Sequence, residues 1–275
     1  MKRRDLIRYT ILSSTSLAGI FHQNFANAKS FELKAAQSKY RWIVLYWMPY
    51  DNNLVRFGEQ IIEMLIEGTK NSDAIVVVQS DYFGDVHMRR RIIENGIIEQ
   101  ENLEIEDSSN VDTFSAYLDW AFQTFDAEKW AIIIVGHGGR INEISPDNHG
   151  FNRQPRTWME VDQLAREISH FNRSTDNRVE LLFLQNCNKA TLEVVYEMRN
   201  CARYTLASQF TLGAPNYYYV GFLESLNNSL NNGYEAATAI IDSEHTDMYH
   251  SLTLINNQMI RQIPEKLSRL TQIIL

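Results

Sequence analysis

Two cysteines, Cys187 and Cys201, are all that 275 residues contain, so a disulfide framework is excluded and at most one bridge is available. Even that bridge is disfavoured, because Lys189 to Asn200 carries Ala190, Val194, Val195 and Met198 at helical spacing. A helix of that length holds its ends ~18 Å apart at ~1.5 Å rise per residue, whereas a bridge needs Cα atoms within ~7 Å. Cys187 is therefore expected as a free thiol and Cys201 as a buried one. Metal-ligand spacing is missing too. His245 and His250 lie five apart, on different faces of a helix, and nothing has the spacing of a zinc site, so the residues themselves point to no metal and no cofactor. Positive charge is short: the formal net charge is -8, which argues against a phosphate-tracking surface and against nucleic acid as a partner. Long apolar runs are absent as well. Tyr9 to Phe21 is the longest apolar stretch near the start, shorter than the ~20 residues of a membrane span, and no later segment could span either. No internal repeat is found.

What the first 28 residues do have is a basic start (Lys2, Arg3, Arg4, Arg8), that apolar stretch, and a small-residue end at Ala26-Asn27-Ala28, the pattern of an export signal. Arg3-Arg-Asp-Leu-Ile-Arg8 resembles the twin-arginine signal, with Leu-Ile where an aromatic-Leu pair is commoner, and an ordinary Sec signal is the other reading. Either predicts an exported protein, periplasmic or extracellular, with no stable membrane anchor once the signal is removed. Residues 29–39 read as a polar tether, and 40–275 as one domain able to bury a substantial core.

Within that domain the periodicity alternates between strand and helix. Tyr40 to Trp47 is a strand, Asn53 to Gly68 a helix with Leu54, Phe57, Ile61, Ile62, Leu65 and Ile66 on one face, and Ala74 to Ser80 a strand, which together make a βαβ unit. Val86 to Ile93 and Gly96 to Glu99 read as a hairpin turning at Asn95-Gly96, with Arg89, Arg90 and Arg91 as a solvated, charged edge. Asn110 caps a helix running to Phe125. Arg140 to Thr157 is rich in Asn, Pro, Asp and Arg and is expected as a long loop that covers a cleft. Trp158 to Phe171, Tyr217 to Leu230 and Tyr234 to Asp242 are further helices, and Arg203 to Gln209 a further strand.

Two apolar, β-branched runs stand out because each ends in a reactive side chain. Trp130 to Val135 leads through Gly136 to His137-Gly138-Gly139, and Val179 to Gln185 leads through Asn186 to Cys187. Such runs fit strands buried on both faces, and in open α/β sheets the ligand crevice lies beyond the carboxyl ends of the strands. A His and a Cys delivered there have the residue types for nucleophilic catalysis: a thiol needs a base or a lowered pKa, and an imidazole supplies a base and later an acid. No third residue orienting His137 is assignable from the sequence.

Ile132-Ile-Ile-Val-Gly-His-Gly138, Leu182-Phe-Leu-Gln-Asn-Cys187 and Thr191 to Arg199 resemble the clostripain family of cysteine peptidases. Tyr46-Trp-Met-Pro-Tyr-Asp-Asn-Asn-Leu54 resembles that family's first strand and Asp-Asn-Asn-Leu turn, and Ala74 to Asp81 its second strand, so the likeness covers roughly residues 40 to 230. The resemblance implies a caspase-like fold, an α/β three-layer sandwich with a mostly parallel sheet and helices on both faces. It implies His137 and Cys187 as catalytic dyad, the backbone N–H groups of Gly138 and Cys187 as oxyanion donors, and a protein or peptide substrate. Calcium is possible by resemblance only. The chain departs from the family at Gln185, where an acid two positions before the Cys usually helps hold Arg or Lys, and Ser208 and Gln209 place neutral groups on the pocket's other wall. A cation buried there without a carboxylate is costly, so a neutral or polar preference is expected unless Glu143 or Asp147 reaches in from the long loop. A binding or scaffold protein that kept the fold, and an esterase or amidase using the same dyad, are the rival readings.

Overall fold

In the computed structural model, which describes residues 40–275 apart from 106, 151–153, 228–229, 231, 249 and 275, one eight-stranded sheet carries the fold. The expected signal (1–28) and tether (29–39) lie outside the described residues. The strands are β1 (Tyr40–Tyr50), β2 (Ile75–Tyr82), β3 (Arg89–Glu94), β4 (Ile97–Asn102), β5 (Ala127–Val135), β8 (Val179–Gln185), β9 (Tyr204–Ser208) and β10 (Leu252–Asn256), in the order β10-β9-β8-β5-β1-β2-β3-β4. The five from β9 to β2 run parallel, the β3–β4 hairpin closes one margin antiparallel, and β10 the other. Asn95 and Gly96 turn that hairpin at φ 53° and 74°, the left-handed pair that a type I′ turn demands.

The central strands are apolar on both sides because helices cover both sides. Ile43, Leu45 and Trp47 of β1, with Ile132 and Ile134 of β5, pack under helices α2 (Val111–Thr124) and α3 (Val161–Ser174) through Phe114, Leu118, Leu164 and Ile168. Val44, Tyr46 and Met48 point the other way, with Ile133 and Phe183, under α1 (Gly58–Thr69), α5 (Tyr219–Ser225) and α6 (Gly233–Ser243) through Leu65, Phe222 and Ile240. Each large side chain buried in these layers contributes about 1.5–3 kcal/mol of transfer free energy. The result is a three-layer α/β sandwich. Asn110 accepts from Asp112 N as the cap of α2, and Thr191 from Val194 N as the cap of the short α4 (Leu192–Glu197). Helices α7 (Asn257–Ile260) and α8 (Ile263–Ile274) follow β10.

Three expectations are corrected. The arginines of β3 are not a solvated edge, because β4 pairs outside them and helices reach over both faces. Arg91 is 2% exposed, held by Glu59 of α1 at 2.7 Å and by Gln100 at 2.7 Å, and Arg90 lies 4.0 Å over the Trp120 ring of α2 while bonding Gln79 and Glu101. The stretch 140–157 is not a plain loop: β6 (Glu143–Asp147) and β7 (Thr157–Glu160) form a small antiparallel sheet whose Ile144 and Met159 enter the core. Its alternation is broken at Ser145, in the left-handed region at φ 52°, whose hydroxyl accepts from Trp47 Nε1 at 2.8 Å and donates to Ser108 O at 2.6 Å. Trp158 accordingly belongs to β7, and the helix after it starts at Val161.

At the carboxyl ends of β1, β2 and β6 three carboxylates, Asp51, Asp81 and Asp147, are buried together. Ser108 N donates to Asp81 at 3.2 Å and to Asp147 at 2.9 Å, so these two carboxyls meet at one donor. Burial first, and the Asp147 charge second, push Asp81 up to about 9, so it carries a proton at neutral pH. In the unfolded chain the same group ionises at its ordinary value of 3.8, so stability falls as pH rises between 3.8 and about 9. Asp81→Asn, which keeps an acceptor for Ser108 N and cannot ionise, is expected to gain melting temperature over the native chain, with a gain that widens from pH 5 to pH 8. Thermal melts across that range check it; a difference independent of pH contradicts it.

Candidate active site

The register of the sheet decides where the two reactive residues fall. Val135 of β5 is paired with Gln185 of β8, and both His137 and Cys187 lie two residues beyond this last pair on adjacent parallel strands. Asn186 binds the two ends together, its Nδ2 donating to Gly136 O at 2.8 Å and His137 O at 3.3 Å. Contact between the loops is closer still at Gly138. A Cβ added there would fall 2.1 Å from Cys187 O and 3.1 Å from Cys187 N, so only glycine lets the backbones lie together. Gly139 is left-handed at φ 55°, with Glu143 and Trp158 closing on it. Neither the Gly138 N–H nor the Cys187 N–H is taken up by another backbone or side-chain group among the described residues.

His137 is half-buried, and its Nε2 lies 2.8 Å from Asn53 Oδ1 in the Asp-Asn-Asn-Leu turn. Burial, then the Arg156 charge, lower its pKa below the ordinary imidazole value, which favours the neutral ring. Cys187 is partly exposed and unbridged. On its far side the segment after β9 runs alongside: Ala190 N donates to Ser208 O at 2.9 Å, Asn188 N to Phe210 O at 3.1 Å, and Leu212 N to Cys187 Sγ at 3.4 Å. That last donor points at the sulfur, which in turn lies 3.8 Å from Leu212 O. Asn188 is left-handed at φ 59°, a conformation asparagine tolerates. Lys189, fully buried, donates to Arg140 O at 2.6 Å and Ile141 O at 3.3 Å, tying the Cys loop to the backbone after Gly139. Burial pushes its ammonium down to about 8 against the opposing pull of Glu143 and Cys187. Cys201 is different in kind: fully buried against Ser169 and Ala165 O, its thiol is pushed up to about 12 by burial.

Gln185 is buried with its whole amide engaged. Nε2 donates to Asn216 Oδ1 at 2.7 Å and Tyr219 Oη at 2.8 Å, and Oε1 accepts from Tyr218 at 2.7 Å. Asn216 passes the network on to the buried Glu244 at 2.9 Å. Ser208 is buried and shares its hydroxyl with Ser251, whereas Gln209 is exposed. Of the two acids considered for the pocket, Asp147 faces Asp81 and Ser108, and Glu143 accepts from Arg140 N at 2.8 Å. Among the described residues no group of three or more His, Cys, Asp or Glu is arranged to hold a metal ion.

Sequence reasoning missed Asn53, Lys189 and the Leu212 N–H. Asn53 alone left a signal, in the Asp-Asn-Asn-Leu turn; a lysine two residues after the cysteine and a backbone donor leave none. The closeness of Gly138 to Cys187 generates a prediction. Gly138→Ala should lose at least about 1–3 kcal/mol by overpacking and should slow alkylation of Cys187 in the folded protein, as the loops are forced apart. Denaturant melts and timed alkylation check it; a variant as stable and as reactive as the native chain contradicts it.

The sequence profile of the clostripain family matches residues 46–274. Among solved structures, the chain is similar to a secreted C11 cysteine protease from Bacteroides thetaiotaomicron in complex with an irreversible peptide inhibitor, at TM-score 0.64 and 18% identity, covering 80% of this chain and 67% of that one. It is similar also to an inactive zymogen C11 protease from Parabacteroides distasonis, at TM-score 0.64 and 17% identity, covering 82% of this chain and 64% of that one. These likenesses carry the caspase-like fold. No curated protein matches.

Proposed function

The chain belongs to the clostripain family of cysteine peptidases, and from that premise we propose that it hydrolyses peptide bonds with Cys187 as nucleophile and His137 as general base and acid. The observation that carries this reading is the pairing of Val135 with Gln185, which sets both side chains at equal height on adjacent strands, with Gly138 packed on the Cys187 backbone. His137 takes the thiol proton as the Cys187 sulfur attacks the carbonyl carbon. Charge developing on the carbonyl oxygen is met by the Gly138 and Cys187 N–H groups. Collapse breaks the C–N bond as His137 returns the proton to the leaving amine, leaving a thioester. Water then attacks it, giving its proton to His137, and the acid product leaves as the thiol is restored.

Substrate preference follows from the pocket residues. Gln185, Ser208 and Gln209 bring no carboxylate, and the Gln185 amide is already spent on Asn216, Tyr218 and Tyr219. The preferred residue before the cut bond is accordingly neutral or polar, and clean cleavage after Arg contradicts that assignment. In a peptide-library assay, Cys187→Ala is expected to abolish hydrolysis and His137→Ala to reduce it by roughly 10²–10⁴-fold. Cys201→Ala should leave turnover nearly unchanged, since that thiol is sealed in the core. Equal alkylation of Cys187 and Cys201 in the folded protein, with no hydrolysis of any library member, would favour a scaffold that kept the fold.

The basic, apolar, small-residue pattern of residues 1–28 supports export, with the acidic domain delivered to the periplasm or beyond. Arg3→Lys combined with Arg4→Lys should hold the precursor in the cytoplasm if the twin-arginine route is used. Fractionation and signal processing read this out; normal processing of the double variant points to Sec export instead.

A further inference from the structure

The Asp51-Asn52-Asn53-Leu54 turn takes no part in the two-residue chemistry above, yet it is closely fixed at the carboxyl end of β1. Asn52 spends its whole amide locally: Nδ2 donates to Pro49 O at 2.8 Å, and Oδ1 accepts from Leu54 N at 3.0 Å, capping a 3-10 turn over Asn53–Phe57. Asp51 anchors the other side, its backbone carbonyl accepting from Asn148 N at 3.1 Å and its carboxylate from Gly150 N at 2.7 Å. Leu54 is buried beneath. Between these anchors the Asn53 side chain reaches across the sheet end and sets its Oδ1 2.8 Å from His137 Nε2.

An amide oxygen only accepts, so in this contact Nε2 carries the hydrogen and the neutral ring keeps its lone pair on Nδ1. We propose that Asn53 is a positioning residue of this site, which holds His137 in the Nε2–H tautomer so that Nδ1 is the atom that takes the Cys187 proton. The inference rests on the peptidase reading for its consequence, although the tautomer stands apart from any activity. The side-chain contact of Asn53 is with the ring, and its role is exerted through that ring. A carboxylate in its place would also orient the ring but would stabilise the imidazolium; the neutral amide orients without charging it. The charged group that acts on the ring is Arg156, which lowers its pKa after burial has done so.

The test is ¹⁵N nuclear magnetic resonance of histidine-labelled full-length protein across pH, beside steady-state kinetics, on the native chain, Asn53→Leu and Asn53→Asp. Asn53 is exposed, so neither variant disturbs the core. The native chain should show Nε2 protonated and Nδ1 unprotonated in the neutral ring. Asn53→Leu should mix the tautomers and lower kcat roughly ten- to a hundred-fold with KM little changed. Asn53→Asp should raise the His137 pKa by about one pH unit or more, moving the acid limb of kcat/KM upward with it, because the base must then be deprotonated at higher pH. A native ring already protonated on Nδ1, or an unchanged tautomer and kcat in Asn53→Leu, overturns the proposal. Absence of turnover in the native chain would instead overturn the peptidase reading, while the resonance data still decide the tautomer.

Discussion

The in-register pairing of β5 with β8 is the constraint on which the site depends. Parallel strands advance together, so residues an equal number of positions past a paired couple emerge side by side, about one strand spacing apart. His137 and Cys187 both stand two residues beyond the Val135–Gln185 pair. A slip of one residue would turn every core side chain of β8 to the opposite helical layer, so the hydrophobic alternation that stabilises the sheet also fixes where His137 and Cys187 emerge. Gly138 then converts adjacency into contact, since the Cys187 carbonyl occupies the space that any Cβ would need.

Around that pair the polar groups are arranged as fixed supports. Asn186 joins the loop carbonyls, Lys189 holds the backbone after Gly139, and Leu212 N approaches the sulfur from the opposite side. Each of these groups is buried or comes from the backbone, so it is already oriented before a substrate arrives, which is the condition for useful electrostatic stabilisation of a developing charge. The ends of β2 and β6 hold a proton in the Asp81–Asp147 contact, where burial makes a shared proton cheaper than two charges.

Much of this was legible in the residues. Continuous apolar runs gave the central strands, Asn110 gave a helix start, and the two runs ending in His137 and Cys187 gave the candidate pair, because these signals are local and periodic. What stayed hidden was tertiary. Arg90 and Arg91 read as an edge until Glu59 and Trp120, distant in sequence, are seen to cover them. The β6–β7 ribbon is short, and Ser145 and Pro146 interrupt its alternation, so composition alone made it a loop. Gln185 announced a missing acid but not the Asn216–Glu244 network that absorbs its amide, because that network joins residues more than 25 positions away.

The central claim is that the two strand ends assemble one acyl-transfer site. A crystal structure of the protein treated with a peptidyl acyloxymethyl ketone tests it most directly. The account predicts a thioether on Cys187 Sγ, the inhibitor's carbonyl oxygen facing the Gly138 and Cys187 N–H groups, and the His137 ring beside the sulfur. Modification elsewhere with Cys187 untouched, or an adduct whose oxygen points away from both N–H groups, would contradict it.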